Sequence, residues 1–156
     1  MRLELTRRGD YAVRAMLALA RHGEASGLLS ARRIAEGMAI PERFLPQVLG
    51  DLTRAGLVEA SPGRNGGYRL ARPAGEISLL EVVEAIEGDS RRKSCVLRGG
   101  PCGQDGTCDV HDVFFSAQDA MLGTLAAATL AGLPERLGGW IATQEHRPGG
   151  ADDRAD

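Results

Sequence analysis

Ser30-Ala-Arg-Arg-Ile-Ala-Glu-Gly-Met-Ala-Ile-Pro-Glu-Arg-Phe-Leu-Pro-Gln-Val-Leu-Gly-Asp-Leu-Thr-Arg-Ala-Gly56 is the stretch whose reading decides the architecture. Ser30 is placed to cap a short helix that Gly37 is expected to stop, and Met38-Ala-Ile40 supplies a turn. From Pro41 to Gly56 a further helix is expected, because Phe44, Leu45, Val48, Leu49 and Leu52 fall on one apolar stripe. Pro41 suits a first turn. Pro46 has no backbone N–H to donate, so the regular hydrogen-bond ladder should begin late or bend slightly.

Two short runs follow, Leu57-Val-Glu-Ala60 and Gly67-Tyr-Arg-Leu-Ala71, on either side of Ser61-Pro-Gly-Arg-Asn-Gly66. The Pro, Gly and Asn between them are turn formers, so the segment reads as a hairpin with Arg64 at its tip. Upstream, residues 9–22 are rich in strong helix formers, with Asp10 at the start. Three helices and a basic hairpin describe a winged helix-turn-helix. In that fold the second helix of the pair is narrow enough for a major groove, and the wing reaches a phosphate or the neighbouring minor groove. Winged helices also serve as protein-interaction modules, so the pattern alone leaves both uses open.

Beyond the hairpin, Ile77–Gly88 reads as a helix with Ser78 as N-cap and Gly88 as stop, expected to pack the wing onto the rest. Asp109 to Leu130 reads as one long helix with a seam of Val110, Val113, Phe114, Ala117, Met121, Leu125 and Ala128. So small a domain cannot cover a helix of that length, whereas a second copy would bury the seam. The alternative is a helix lying on its own domain. The resulting expectation is a mainly α chain with a small β-hairpin wing. Residues 1–75 form the DNA-binding domain, 76–92 a connecting helix, 93–111 a cysteine-rich loop, 112–145 the dimerisation helix and C-terminal segment, and 146–156 a disordered polar tail.

Charge divides along the same line. Residues 1–75 carry twelve Arg and seven Asp or Glu, whereas 76–156 carry seven Arg or Lys and fourteen Asp or Glu, so the overall −2 conceals a basic first half and an acidic second half. A polyanion-binding module joined to something else fits this asymmetry. No apolar run approaches the roughly 18 residues of a membrane span. No apolar signal segment stands at the N-terminus either, so a cytoplasmic protein is expected. No nucleophile–base pair, phosphate loop or paired-carboxylate motif supports an enzyme.

All three cysteines, Cys95, Cys102 and Cys108, lie in one glycine-rich stretch, with six and five residues between them and His111 close behind. Thiolates grouped this way suit zinc or an iron-sulfur cluster. An odd count in a reducing compartment argues against a disulfide framework. Cys108 and His111, three apart, would share one helix face.

Met-Arg-Leu at the start, Asp10-Tyr-Ala-Val-Arg-Ala-Met16, Phe44-Leu-Pro-Gln-Val-Leu49, Leu52-Thr-Arg-Ala-Gly-Leu-Val58, Gly63-Arg-Asn-Gly-Gly-Tyr68 and the three-cysteine loop together resemble the Rrf-type winged-helix regulators, which include IscR-like and NsrR-like members. The resemblance runs from Met1 to about Leu133. It implies a homodimeric transcription factor on double-stranded DNA, reading an imperfect inverted repeat and holding an iron-sulfur cluster, 2Fe-2S favoured and 4Fe-4S possible. By the same resemblance Cys95, Cys102 and Cys108 match the cluster thiolates. His111 falls where IscR-like members place a ligating histidine, and Asp10 where NsrR-like members use an aspartate from the other subunit; His111 is the favoured choice. The first inter-cysteine gap is six residues where four or five are expected, which leaves cluster type open. A structural zinc or a clusterless thiol switch on the same cysteines is the alternative. Arg43 and Gln47 match base-contacting positions, with Pro46 beside them unable to hydrogen-bond a base. Arg32, Arg33, Arg54 and Arg64 are better placed for phosphates.

Overall fold

The computed structural model describes residues 4–90, 97 and 108–134. Helix α1 spans Arg7–Ser26, α2 Ala31–Met38, α3 Leu45–Arg54, strand β1 Val58–Ser61, β2 Gly67–Leu70, α4 Leu79–Glu87 and α5 His111–Ala127. Cys95, Cys102 and the tail expected to be disordered lie outside the described residues.

Helix α1 begins two residues before, and ends four residues after, the expected 9–22 segment. Thr6 is its N-cap, accepting the Gly9 N–H at 3.1 Å, while the Thr6 N–H donates to Glu87 Oε1 at 2.7 Å. The cap hydroxyl and the carboxylate at the end of α4 thus satisfy donors that would otherwise be orphaned, which lets the helix start nearly a turn before Asp10. Ala12, Ala15, Met16 and Leu19 of α1 are fully buried together with Ile34, Leu45, Leu49, Leu52, Ile77 and Val82. Burying each larger side chain contributes about 1.5–3 kcal/mol.

Helix α2 keeps Ser30 as its cap, with the hydroxyl accepting the Arg33 N–H at 3.3 Å. Its end differs from expectation. The helix runs through Gly37 to Met38, because Met38 is a core residue and Gly37 is exposed. The left-handed turn then falls on Ala39 at φ 51°, and Ile40 N–H closes it onto the Ala35 carbonyl at 3.0 Å. Helix α3 starts at Leu45 after a turn in which Phe44 N–H bonds the Pro41 carbonyl at 3.0 Å, so Pro46 sits within the first turn, where its missing N–H costs nothing. The late start expected from Pro46 is what the helix shows.

The hairpin is antiparallel, registered Val58 to Leu70 and Ser61 to Gly67. Leu29 exchanges two 2.9 Å backbone hydrogen bonds with Tyr68 and so anchors the wing to the segment before α2. A Cβ on Gly66 would lie 2.1 Å from the Ser61 carbonyl oxygen, so the close approach at the tip admits only glycine.

Helix α4 packs against α1, α3 and α5 rather than chiefly against the wing. Its apolar face, with Val82 fully buried, fits the groove beside α1. Its tie toward the wing is the Arg72–Glu81 ion pair at 2.6 Å. Helix α5 has 17 residues, about 26 Å at the usual rise, shorter than the Asp109–Leu130 span expected. The chain leaves helical geometry at Ala128 because the next residues pair with the start of α4: Leu79 N–H bonds the Ala128 carbonyl at 2.8 Å and Leu130 N–H the Ile77 carbonyl at 3.0 Å. No helix among the described residues is long and apolar enough to cross a membrane.

Ser78 and Glu81 form a reciprocal capping box at the start of α4. The Ser78 backbone N–H, and then Arg72, hold the Glu81 carboxyl below its ordinary value near 4.5. Its contribution is complete above that unfolded value and is lost as pH falls through the lower folded one. Glu81→Gln is therefore expected to lower stability at neutral pH and to flatten the loss of stability below about pH 5. Urea midpoints measured across pH check this, and an unchanged acid limb would refute it.

Candidate nucleic-acid interface

The six polar residues expected to meet DNA are all exposed and lie on three elements: Arg32 and Arg33 on α2, Arg43, Gln47 and Arg54 on or beside α3, and Arg64 at the wing tip. Positions 43, 47, 50 and 54 step by four, three and four, so they share one stripe opposite the buried Val48, Leu49 and Leu52. Arg43 precedes the regular helix. Its guanidinium lies 4.8 Å from the Phe44 ring centroid, and Phe44 stacks at 5.8 Å on Tyr11 of α1, so an aromatic pair supports this side chain.

The arginines differ in what already engages them. Arg32 pairs with Glu36 at 2.8 Å, and this hydrogen-bonded carboxylate raises its pKa. Arg54 pairs with Asp51, which also takes Arg8. The Arg64 side chain has no partner among the described residues and extends from the turn between Gly63 and Gly66.

The stripe also contains Gly50, half-buried in the interior of α3. Among the described residues a Cβ there would meet no atom within 4 Å beyond its chain neighbours and its own helix backbone, so no packing contact among them requires a glycine. Glycine costs about 1 kcal/mol relative to alanine in a helix interior. With Pro46 and Gly50 both lacking a polar side chain, the polar groups of this stripe are Arg43, Gln47 and Arg54, and the backbone at Gly50 is open to close approach.

Of the expected metal ligands, Cys108, His111 and Asp10 are described. Cys108 is a half-buried free thiol at the end of the loop. The His111 N–H bonds the Cys108 carbonyl at 2.9 Å, so the two occupy one closed turn at the start of α5. The His111 ring stacks on Phe115 at 5.8 Å. Asp10 is engaged differently: Oδ1 and Oδ2 accept from Arg14 Nε and Nη2 at 3.0 and 2.6 Å. Arg14 is buried, and its Nη1 donates at 3.3 Å to the carbonyl of Met38, the last residue of α2. Among the described residues alone, no group of three His, Cys, Asp or Glu is arranged to hold a metal. Sequence reasoning missed Arg8, Arg14 and Asp51. Asp10 and Arg14 stand at helical i,i+4 spacing and could have been paired in advance, whereas Arg8 and Asp51 carry no local signal.

Helix α5 leaves apolar surface exposed. Val113 is 69%, Phe114 39% and Phe115 50% exposed, while only Leu122 of this helix is fully enclosed.

The model of the Rrf2 family, described as an iron-dependent transcriptional regulator, matches residues 5–136. The chain is 33% identical to the HTH-type transcriptional regulator IscR of Cronobacter sakazakii over 159 residues, covering 99% of this chain and 97% of that protein. In fold it resembles CymR, the global cysteine regulator of B. subtilis, with a TM-score of 0.73 at 24% identity over 89% of this chain and 98% of that one. It also resembles IscR of T. potens, with a TM-score of 0.65 at 27% identity over 95% and 94% of the two chains.

Gly50→Ala should raise stability by about 0.5–1 kcal/mol, since the added methyl meets open space and favours the helix. It should at the same time weaken duplex binding by obstructing the approach of α3. Thermal melting and gel shifts read the two effects separately, and a stabilised variant with unchanged binding would show that no clearance is needed there.

Proposed function

This chain belongs to the Rrf2 family of DNA-binding transcriptional regulators, and from that premise we propose that it works as a homodimer whose DNA binding responds to an iron-sulfur cluster on Cys95, Cys102, Cys108 and His111. Its relatives are regulators, not enzymes. The observation that carries the cluster reading is the closed turn joining Cys108 to His111 at the start of α5. It sets a thiol-bearing and an imidazole-bearing residue on one turn, and once the thiol is deprotonated these are donor types that suit iron-sulfur ligation. Asp10 fits less well, because using it would require its carboxylate to exchange Arg14, which binds both oxygens. The form proposed for the cluster is 2Fe-2S.

Such a cluster would supply redox chemistry and sensitivity to oxidants or nitric oxide. The chain's own residues supply the coupling. Cys108 and His111 stand at the N-terminal end of α5, so engaging them restrains that end of the helix. The exposed Val113, Phe114 and Phe115 lie on the same first turns. Pairing with a second copy would cover them. Through such a pairing the spacing of two α3 helices depends on how α5 is seated, and duplex affinity or site choice changes with it. Two copies of α3 related by a twofold read an imperfect inverted repeat with half-sites about one helical turn apart, 34–36 Å. The chain's relatives include regulators of bacteria, where chromosomal DNA lies in the cytoplasm, and a cytoplasmic location is part of this proposal.

Arg43→Ala is expected to lose sequence preference, whereas Arg64→Ala weakens binding to every duplex and flattens its salt dependence by about one phosphate contact. Gel shifts with the fragment upstream of the protein's own gene and with random duplex distinguish them; equal effects on both DNAs would overturn these roles.

Each of Cys95→Ser, Cys102→Ser and Cys108→Ser should abolish visible absorption and acid-labile sulfide in anaerobically purified protein while leaving a folded dimer and altering duplex binding. His111→Ala should change the spectrum and Asp10→Ala should not. Zinc without sulfide would replace the cluster with a structural metal, protein with neither would point to a thiol switch, and cysteine variants that bind DNA as the wild type does would remove the sensor.

A further inference from the structure

Asp51 is an acidic residue on the recognition helix whose side chain is only 10% exposed, and it receives a guanidinium on each oxygen: Arg8 Nη2 on Oδ2 and Arg54 Nη2 on Oδ1. The two arginines come from different helices. Arg8 belongs to the first turn of α1 and Arg54 to the last turn of α3, on the stripe of Arg43 and Gln47. Their side chains remain 47% and 75% exposed, so the carboxylate is covered while the guanidinium groups reach solvent.

We propose that Asp51 is a positioning residue that holds Arg8 and Arg54 as a paired-guanidinium clamp for the phosphate backbone of duplex DNA, which makes Arg8 a DNA-contacting residue. The proposal rests on the DNA-binding reading of α3. A lone carboxylate on that surface would repel phosphate. Set between two guanidinium groups it leaves a net positive unit, and it does so at the point where α1 meets α3. Each guanidinium has five N–H donors in a fixed fork, so an ion pair to Asp51 leaves donors for phosphate oxygens. Without the carboxylate the two cations would repel one another and each long side chain would sample many rotamers. With it, their orientation is set before DNA arrives, and less freedom is lost on binding.

Simple electrostatics and positioning give opposite signs for one substitution. Asp51→Asn removes a negative charge, so if Asp51 only repels phosphate, binding should tighten. If it positions the arginines, binding should weaken roughly tenfold, the size of one lost charged contact. The experiment uses full-length protein, anisotropy titration over a range of salt, and two duplexes: one recovered by selection from a random-sequence pool, and one of random sequence. Asp51→Asn is expected to weaken binding to both and to flatten the salt dependence. Arg8→Ala and Arg54→Ala should each lower the slope by about one phosphate contact. Arg8→Ala combined with Asp51→Asn should lose less than the sum of the two, since both act on one unit.

Circular dichroism and melting establish that each variant is folded. Should Asp51→Asn fail to fold, Arg8→Ala, on the exposed first turn of α1, decides alone: an unchanged salt slope overturns the clamp. Binding by Asp51→Asn as tight as or tighter than wild type overturns it as well. Wild-type protein that binds neither duplex would overturn the DNA-binding reading itself, an outcome distinct from a wild type that binds and variants that do not differ.

Discussion

Burial of one face of α1 is the constraint on which the rest of the molecule depends. Ala12, Ala15, Met16 and Leu19 are all fully enclosed, and α2, α3, α4 and β2 each pack against this helix. The two alanines matter as much as the larger residues. Small side chains let neighbouring helix axes approach closely enough for Ile34, Leu49, Leu52 and Val82 to fill the remaining space at native density. A larger residue at Ala12 or Ala15 would force α3 outward, and the groove-facing stripe would move with it.

Among the described residues the first turns of α1 also carry several of the polar links that tie elements together. Thr6 meets Glu87 at the end of α4, Arg8 meets Asp51 in α3, and Asp10 meets Arg14, whose buried guanidinium donates to the last carbonyl of α2. Among the described residues no buried side-chain N or O atom lacks a hydrogen-bond partner. The buried arginine is tolerated because its donors are used, by a carboxylate that offsets its charge and by a backbone carbonyl. The segment that fixes the reading head is therefore the one that carries a candidate metal ligand.

The reading surface and the remainder of α5 obey different rules. On α3, apolar residues face inward and the outward stripe is sparse, with Pro46 and Gly50 between Arg43, Gln47 and Arg54. On α5 the exposed side chains include the large apolar Val113, Phe114 and Phe115 beside polar Asp112, Ser116 and Asp119, and such a group of adjacent apolar side chains is the kind of patch that marks a contact surface. A short pairing of Ala128 and Leu130 with the start of α4, together with buried Leu122, holds the C-terminal half of α5 to its own domain.

Much of this was legible in the chain because it depends on neighbours a few residues apart. Ser30 and Ser78 as caps, the hairpin around Arg64, the late start of α3 imposed by Pro46 and the apolar stripe of α3 all follow from backbone hydrogen bonds and side-chain periodicity within single elements. Local rules erred where packing competed with them. Gly37 would end a helix in isolation, but Met38 belongs to the core, so α2 continues and Ala39 takes the left-handed turn. Periodicity carried α5 past Ala128, whereas the backbone there gains more by bridging to α4. Arg8 and Asp51, 43 residues apart, meet only because α1 and α3 cross at that point. The sequence by itself determined the kind of elements and the chemistry on their surfaces, since those are set by local bonding. Which charges pair, where helices stop and which apolar face stays open were decided by tertiary structure, because they depend on the sum of many weak contacts between segments that no local pattern contains.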